Sequence, residues 1–151
     1  PNTSSAASDV YKRQSHIGIA NEIEINKNGI KHPLYKNKDK KFNSPAFNFD
    51  EVVKIPDKGI CLASNKINKV QGLYFEVNKT KIWGLQYHPE ITYEKMINLI
   101  EFRKERLIES RKVFKDDTEV QKHIAFIKKE ISVSDKEKRM LELKNWLNEL
   151  N

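Results

Sequence analysis

Val70-Gln71-Gly72-Leu73-Tyr74-Phe75-Glu76-Val77-Asn78-Lys79-Thr80-Lys81-Ile82-Trp83-Gly84-Leu85-Gln86-Tyr87-His88-Pro89-Glu90 is the stretch on which the fold turns. Two runs rich in aromatic and β-branched residues, Val70 to Val77 and Lys81 to Tyr87, flank Asn78-Lys79-Thr80. Asn takes positive φ at low cost, so the pattern predicts an antiparallel strand pair around a short turn. The second strand then delivers His88 at its end. Pro89 fixes φ and carries no amide N–H, so strand pairing is expected to stop there.

Upstream, short apolar runs alternate with turn signals, which is a strand-like pattern. Ile17 to Ile25 alternates loosely and ends at the turn cluster Asn26-Lys27-Asn28-Gly29. His32-Pro33-Leu34 follows, then a Lys-rich loop to Asn43. Phe47 to Ile55 is a mixed segment stopped by Pro56-Asp57-Lys58-Gly59, and Ile60 to Ser64 reads as a buried strand. Downstream of Pro89 the period becomes helical. Thr92 is a cap for a helix with Tyr93, Met96, Ile97, Ile100, Leu107 and Ile108 on one face. Asp116 with Glu119 forms a capping box before the stripe Val120, Ile124, Ile127 and Ile131. Ser134 with Glu137 is expected to open a third helix, with Met140, Leu143, Trp146, Leu147 and Leu150 inward. These stripes are read as faces that pack on the domain.

The composition narrows the function. The 151 residues suffice for one domain with a single core. No apolar run approaches the length needed to cross a bilayer, and no signal-like apolar segment opens the chain, so a cytoplasmic protein is expected. The net charge of +7 raises the question of nucleic acid. Phosphate recognition favours clustered arginine, yet among 28 basic residues only Arg13, Arg103, Arg106, Arg111 and Arg139 are arginines. The lysines scatter from Lys12 to Lys144, and Ile and Asn are also abundant, as AT-rich codons would produce. No nucleic-acid partner and no membrane partner are expected. The single cysteine, Cys61, lies inside Ile60-Cys61-Leu62-Ala63, without the glycines that expose a nucleophile at a sharp turn. It is read as a small buried hydrophobe. His16, His32 and His123 are too scattered for a metal site, and no cofactor is implied.

The chemistry sits in His88-Pro89-Glu90. In an extended chain, residues two apart point to the same side, so Glu90 can reach the imidazole of His88. A carboxylate on one ring nitrogen fixes the tautomer and stabilises the imidazolium, leaving the other nitrogen for proton transfer. That is the base-and-orienter half of a nucleophilic triad.

Gly84-Leu85-Gln86-Tyr87-His88-Pro89-Glu90 resembles the G-x-Q-(F/Y)-H-P-E signature of class I glutamine amidotransferases, the group that includes the glutaminase domain of GMP synthase. His32-Pro33-Leu34 is similar to the H/D-P-L segment of that family. Phe47-Asn48-Phe49-Asp50-Glu51-Val52 resembles its S-H-x-D-x-V stretch, and Leu62-Ala63-Ser64 its L-A-x-S strand. His16-Ile17-Gly18 fits the strand that follows the nucleophile helix. The likeness runs from Ser15 to Ile100, about the second half of the family's domain. It implies an α/β class, here a partial flavodoxin-like sheet followed by a helical tail. It implies His88 as general base and acid, Glu90 as its orienter, and Phe49 and Asp50 near bound glutamine, with Asn48 replacing the more usual His. The implied substrate is glutamine, attacked by a Cys on a G-x-C-x-G elbow through a thioester, with ammonia passed to a synthase partner or domain. No G-x-C-x-G occurs in this sequence, so the chain by itself is expected to be inert.

Ser4 to Gln14 reads as one translation frame of a DNA adapter used in transposon-based sequencing libraries. The expected organisation is therefore a non-native or disordered segment at 1–14, the C-terminal part of an amidotransferase domain at 15–91, and packing helices at 92–151. Two other readings stand beside it. One is a non-catalytic relative that binds a partner through its helices; the other is a basic nucleic-acid-binding module, with salt-sensitive binding as its mark.

Overall fold

The computed structural model describes residues 15–151, and the adapter-like segment lies outside them. Strand β1 (His16–Ile17) pairs antiparallel with β4 (Phe47–Asn48) in a two-stranded ribbon. The main sheet contains β2 (Ala20–Ile25), β3 (Lys41–Ser44), β5 (Ile60–Ser64), β6 (Gly72–Val77) and β7 (Thr80–Leu85), in the order β3-β2-β5-β6-β7. Every pairing in it is antiparallel. Together with the helices this makes a mixed α/β structure.

The hairpin forms as the sequence predicts, but is tighter. Val77 pairs with Thr80, leaving the two-residue loop Asn78-Lys79, with φ of 48° and 68°. Two successive positive φ values match the right-handed twist of the flanking strands. The ladder ends at Leu85 rather than Tyr87, because Gln86 donates to Gln71 O and the chain then crosses to Pro45. The expected turn at Asn26-Lys27-Asn28-Gly29 is instead the start of a short helix, α1 (Lys27–Lys31). Asn26 is its N-cap, with Oδ1 accepting from Asn28 N and Gly29 N. The same Asx chemistry serves a turn and a helix start, so the pattern alone does not separate them. A Cβ on Gly29 would collide with Leu62 O of β5, so only glycine lets α1 lie this close to the sheet. A 3-10 turn, Pro33–Tyr35, follows, with His32 at its N-cap.

After β7 come α2 (Tyr93–Phe102), a π-helical turn (Arg106–Ser110), α3 (Asp117–Val133), α4 (Lys136–Arg139) and α5 (Leu141–Glu149). Thr92 caps α2 through Lys95 N, and Asp116 caps α3 through Glu119 N, as expected. Glu119 Oε2 reaches back to Lys115 N. The first predicted helix is interrupted, however: α2 ends at Phe102, and the π-helical turn carries Leu107 and Ile108 onto the same core. The last helical segment also departs from expectation. Ser134 closes α3, and Asp135 caps α4 instead. Trp146, Leu147 and Leu150 are 42%, 53% and 63% exposed, while Glu142 and Asn145 are buried. Met140 and Leu143 are half-buried, so the expected apolar face is turned only partly inward, and the buried positions are taken by polar anchors.

Two apolar clusters result. One joins Ile17 and Ile19 to the faces of α2 and α3, with Ile100, Leu107, Ile124 and Ile127 at its centre. Gly18, at φ 86°, sits where a Cβ would come within 2.7 Å of Ile127 Cδ1 and 2.9 Å of Ile100 Cδ1. The other lies on the main sheet around Ile23, Ile25, Leu34, Leu62 and Tyr87. Among the described residues no helix is long and apolar enough to cross a membrane.

Candidate active site

His88 follows β7 by three residues, in a segment fixed by its own backbone. Its N–H donates to Pro45 O at 2.7 Å, and its carbonyl accepts from Ile91 N at 3.2 Å. Pro89 is buried, so the tripeptide bends around an anchored centre. The side chains on either side of the proline meet: His88 Nδ1 lies 2.8 Å from Glu90 Oε1. The imidazole and carboxylate are 43% and 48% exposed, so a reacting group can approach from solvent. Nε2 has no partner among the described residues. A carboxylate on Nδ1 favours the tautomer with its proton there, leaving the Nε2 lone pair free to accept a proton.

Phe49 and Asp50 are not brought into contact with this pair. Phe49 packs against Phe47 with ring centroids 5.9 Å apart, under the Arg111 guanidinium at 4.3 Å. Asp50 is exposed on the loop that follows. The connection between the two segments is Asn48, whose Nδ2 donates to Gln86 O at 3.0 Å. Asn48 Oδ1 accepts from His16 Nδ1, and Asn65 and Gln71 amides approach His16 Nε2 at 3.0 and 3.1 Å. His16 is thus a buried, fully partnered imidazole. Burial lowers its pKa, and hydrogen bonds to Asn48 and Asn65 offset this only in part. The sequence places His16 on a strand but does not reveal its amide cage, whose members are up to 55 residues apart.

Cys61 lies on β5 as expected, but is less buried than a core hydrophobe. The half-buried thiol donates to carbonyls of Ala63 and Lys69, and burial pushes its pKa up, the opposite of what an attacking thiolate needs. A hollow of about 480 Å³ beside β1 is lined by Ile17, Ile19, Phe114 and His123 but not by His88 or Glu90. Among the described residues no group of three or more His, Cys, Asp or Glu converges in a way that could hold a metal ion.

Sequence reasoning missed a second polar cluster. Glu142, on α5, is buried together with Lys38, whose Nζ lies 3.1 Å from Glu142 Oε2. Glu142 Oε1 accepts from the Tyr87 hydroxyl at 2.8 Å, and that hydroxyl shares a 3.0 Å hydrogen bond with Tyr35. Burial raises the pKa of both tyrosines, so each stays a neutral hydrogen-bonding group. The sequence carries little signal for it, since Glu142 and Asn145 are two polar residues among several on α5, with Lys144, Asn148 and Glu149 beside them.

The strand end thus presents an imidazole oriented by a carboxylate, and known proteins supply a likeness. The chain is 30% identical over 74 residues to a γ-glutamyl-L-1-hydroxyisopropylamide hydrolase of a Pseudomonas species, covering 49% of this chain and 25% of that protein. It is 38% identical over 68 residues to one subunit of the glutamine-hydrolysing GMP synthase of Methanocaldococcus jannaschii, covering 44% and 35%. The chain therefore spans about a quarter to a third of the length of these relatives. No protein-family profile matches it. The similarity, distant and partial, is to amidotransferase-like hydrolytic enzymes.

Proposed function

We propose that this chain is the carboxy-terminal part of a class I glutamine amidotransferase-like protein, with 15–91 forming part of that domain and 92–151 a helical tail. The complete protein would hydrolyse a γ-glutamyl amide. Glutamine is the simplest such amide, and both relatives are named for cleaving a bond of this kind. One observation carries the reading: His88 Nδ1 is held 2.8 Å from Glu90 Oε1, while Nε2 stays open.

In the proposed reaction a cysteine thiol, on a segment of the parent outside this sequence, gives its proton to His88 Nε2 and attacks the amide carbon. His88 returns that proton to the leaving nitrogen, so ammonia departs and a thioester remains. Water then attacks the thioester, His88 takes its proton, and the thiol is restored as glutamate leaves. Glu90 keeps its charge throughout and stabilises the imidazolium. Phe49 and Asp50 belong to the glutamine-binding side, and ammonia passes to a synthase partner or domain. The parent fold is a flavodoxin-like sheet in which the described antiparallel strands form one portion. The working compartment is the cytoplasm.

The test is ammonia release from glutamine by the intact protein. His88→Ala is expected to lower kcat about 10³- to 10⁴-fold, and Glu90→Gln to lower it less. Unchanged turnover in His88→Ala would sink the assignment. The chain of 151 residues alone should release no ammonia, because Cys61 is its only cysteine.

A further inference from the structure

The tripeptide His88-Pro89-Glu90 is gripped on both flanks by the tail. One residue before it, Tyr87 gives its hydroxyl proton to Glu142 of α5. One residue after it, Ile91 O accepts from Arg139 Nη1 of α4 at 2.7 Å. Neither contact is loose. The Glu142 side chain is 0% exposed and its partner Lys38 4%, with Lys38 Nζ also donating to Lys138 O at 2.8 Å. Asn145, one turn further on, donates to Leu34 O and Lys36 O, which docks α5 on the segment that follows His32. A buried carboxylate carries a desolvation cost that an apolar residue in its place would avoid. Here the charge supplies what an apolar group cannot, a fixed acceptor for Tyr87.

We propose that the helical tail is a positioning clamp for the His88–Glu90 pair, with Glu142 and Arg139 as positioning residues acting through Tyr87 and Ile91. The inference rests on the reading of that pair as base and orienter. The clamp sets where the strand end leaves the sheet, and so holds the imidazole and carboxylate within hydrogen-bond reach across the proline.

Amide hydrogen exchange on the full chain tests this, together with the ¹⁵N shifts of the His88 ring. Tyr87→Phe deletes one hydroxyl and keeps the ring, which stacks edge-on against Phe42. It should speed exchange of the amides of Gln86, Tyr87, His88, Glu90 and Ile91 about three- to tenfold, the loss of one hydrogen bond, and leave Ala63 and Leu73 unchanged. Arg139→Met should act alike from the other side. Lys38→Met with Glu142→Leu removes charge and acceptor together and should reproduce the local effect. Lys38→Met with Glu142→Gln retains an acceptor oxygen and should restore protection. In Tyr87→Phe the His88 Nδ1 shift should move toward the value produced by Glu90→Gln. Acceleration spread evenly over the sheet, or no difference between the Leu and Gln double variants, would overturn the clamp. If instead Glu90→Gln leaves the His88 ring shifts unmoved, the base-and-orienter reading fails, and the clamp is judged on exchange alone.

Discussion

As a single change, Glu142→Leu strands the Lys38 ammonium in a buried site, a loss of about 3–5 kcal/mol for a broken buried pair. Adding Lys38→Met should recover most of that stability, as measured by urea unfolding of the single and double variants. A single variant as stable as wild type would show that the pair is not buried in solution. Gly18 is the converse case, a residue whose value lies in having no side chain. With φ at 86° and Ile127 and Ile100 overhead, Gly18→Ala should destabilise by about 1–3 kcal/mol, from backbone strain and overpacking together. Asp50 and Phe49 are the two residues proposed for the substrate side. Only Phe49 has a packing role in the described residues, and Asp50 stands exposed without a partner among them.

Among the elements, those with a local cause were legible. The β6–β7 hairpin follows from its composition, and the caps Thr92 and Asp116 from side-chain chemistry three residues deep. The hairpin loop also carries a correctable defect, since Lys79 holds φ at 68° with a full side chain. Lys79→Gly should raise stability by about several tenths of a kcal/mol, read as a higher melting temperature. A lower one would show that the lysine side chain contributes more than the strain removes. What the sequence did not disclose depends on long-range partners. α5 has an apolar stripe of good helical period, and period alone does not pick out the residues that are buried. Its orientation is set instead by Glu142 and Asn145, whose partners lie about a hundred residues earlier. The break in the helix after Phe102 likewise has no marker such as proline or glycine nearby. The His88–Glu90 pairing was readable because two residues on either side of a proline leave little choice of geometry. The amide cage of His16 was not, because Asn48 and the 65–71 connection reach it from distant parts of the sequence.

At the scale of the whole molecule, buried His16 and half-buried His123 make stability depend on pH. Burial lowers the pKa of His16 and of His123, the latter bonded to Ile17 O. With folded values below the ordinary 6.5, the unfolded chain binds more protons as the pH drops, so stability is full above about 6.5 and falls in acid. Each histidine contributes a slope of at most about 1.4 kcal/mol per pH unit within its window. Thermal melts at pH 7.5 and pH 5 should show the loss, and His123→Gln should flatten part of it. A melting temperature independent of pH over that range would contradict the shielding of both rings from solvent. The scattered lysines imply a second outcome: duplex DNA should not bind at physiological salt, which a filter or anisotropy titration would check.

The Lys38–Glu142 contact joins positions 104 residues apart. During synthesis such a bond can close only after residue 142 has left the ribosome, and bringing two such distant segments together is entropically slow. The strand end that bears His88 is thus made before the contact that steadies it. Variants at 142 should hasten unfolding while refolding rates stay nearly constant, the kinetic mark of an interaction made after the barrier has been crossed.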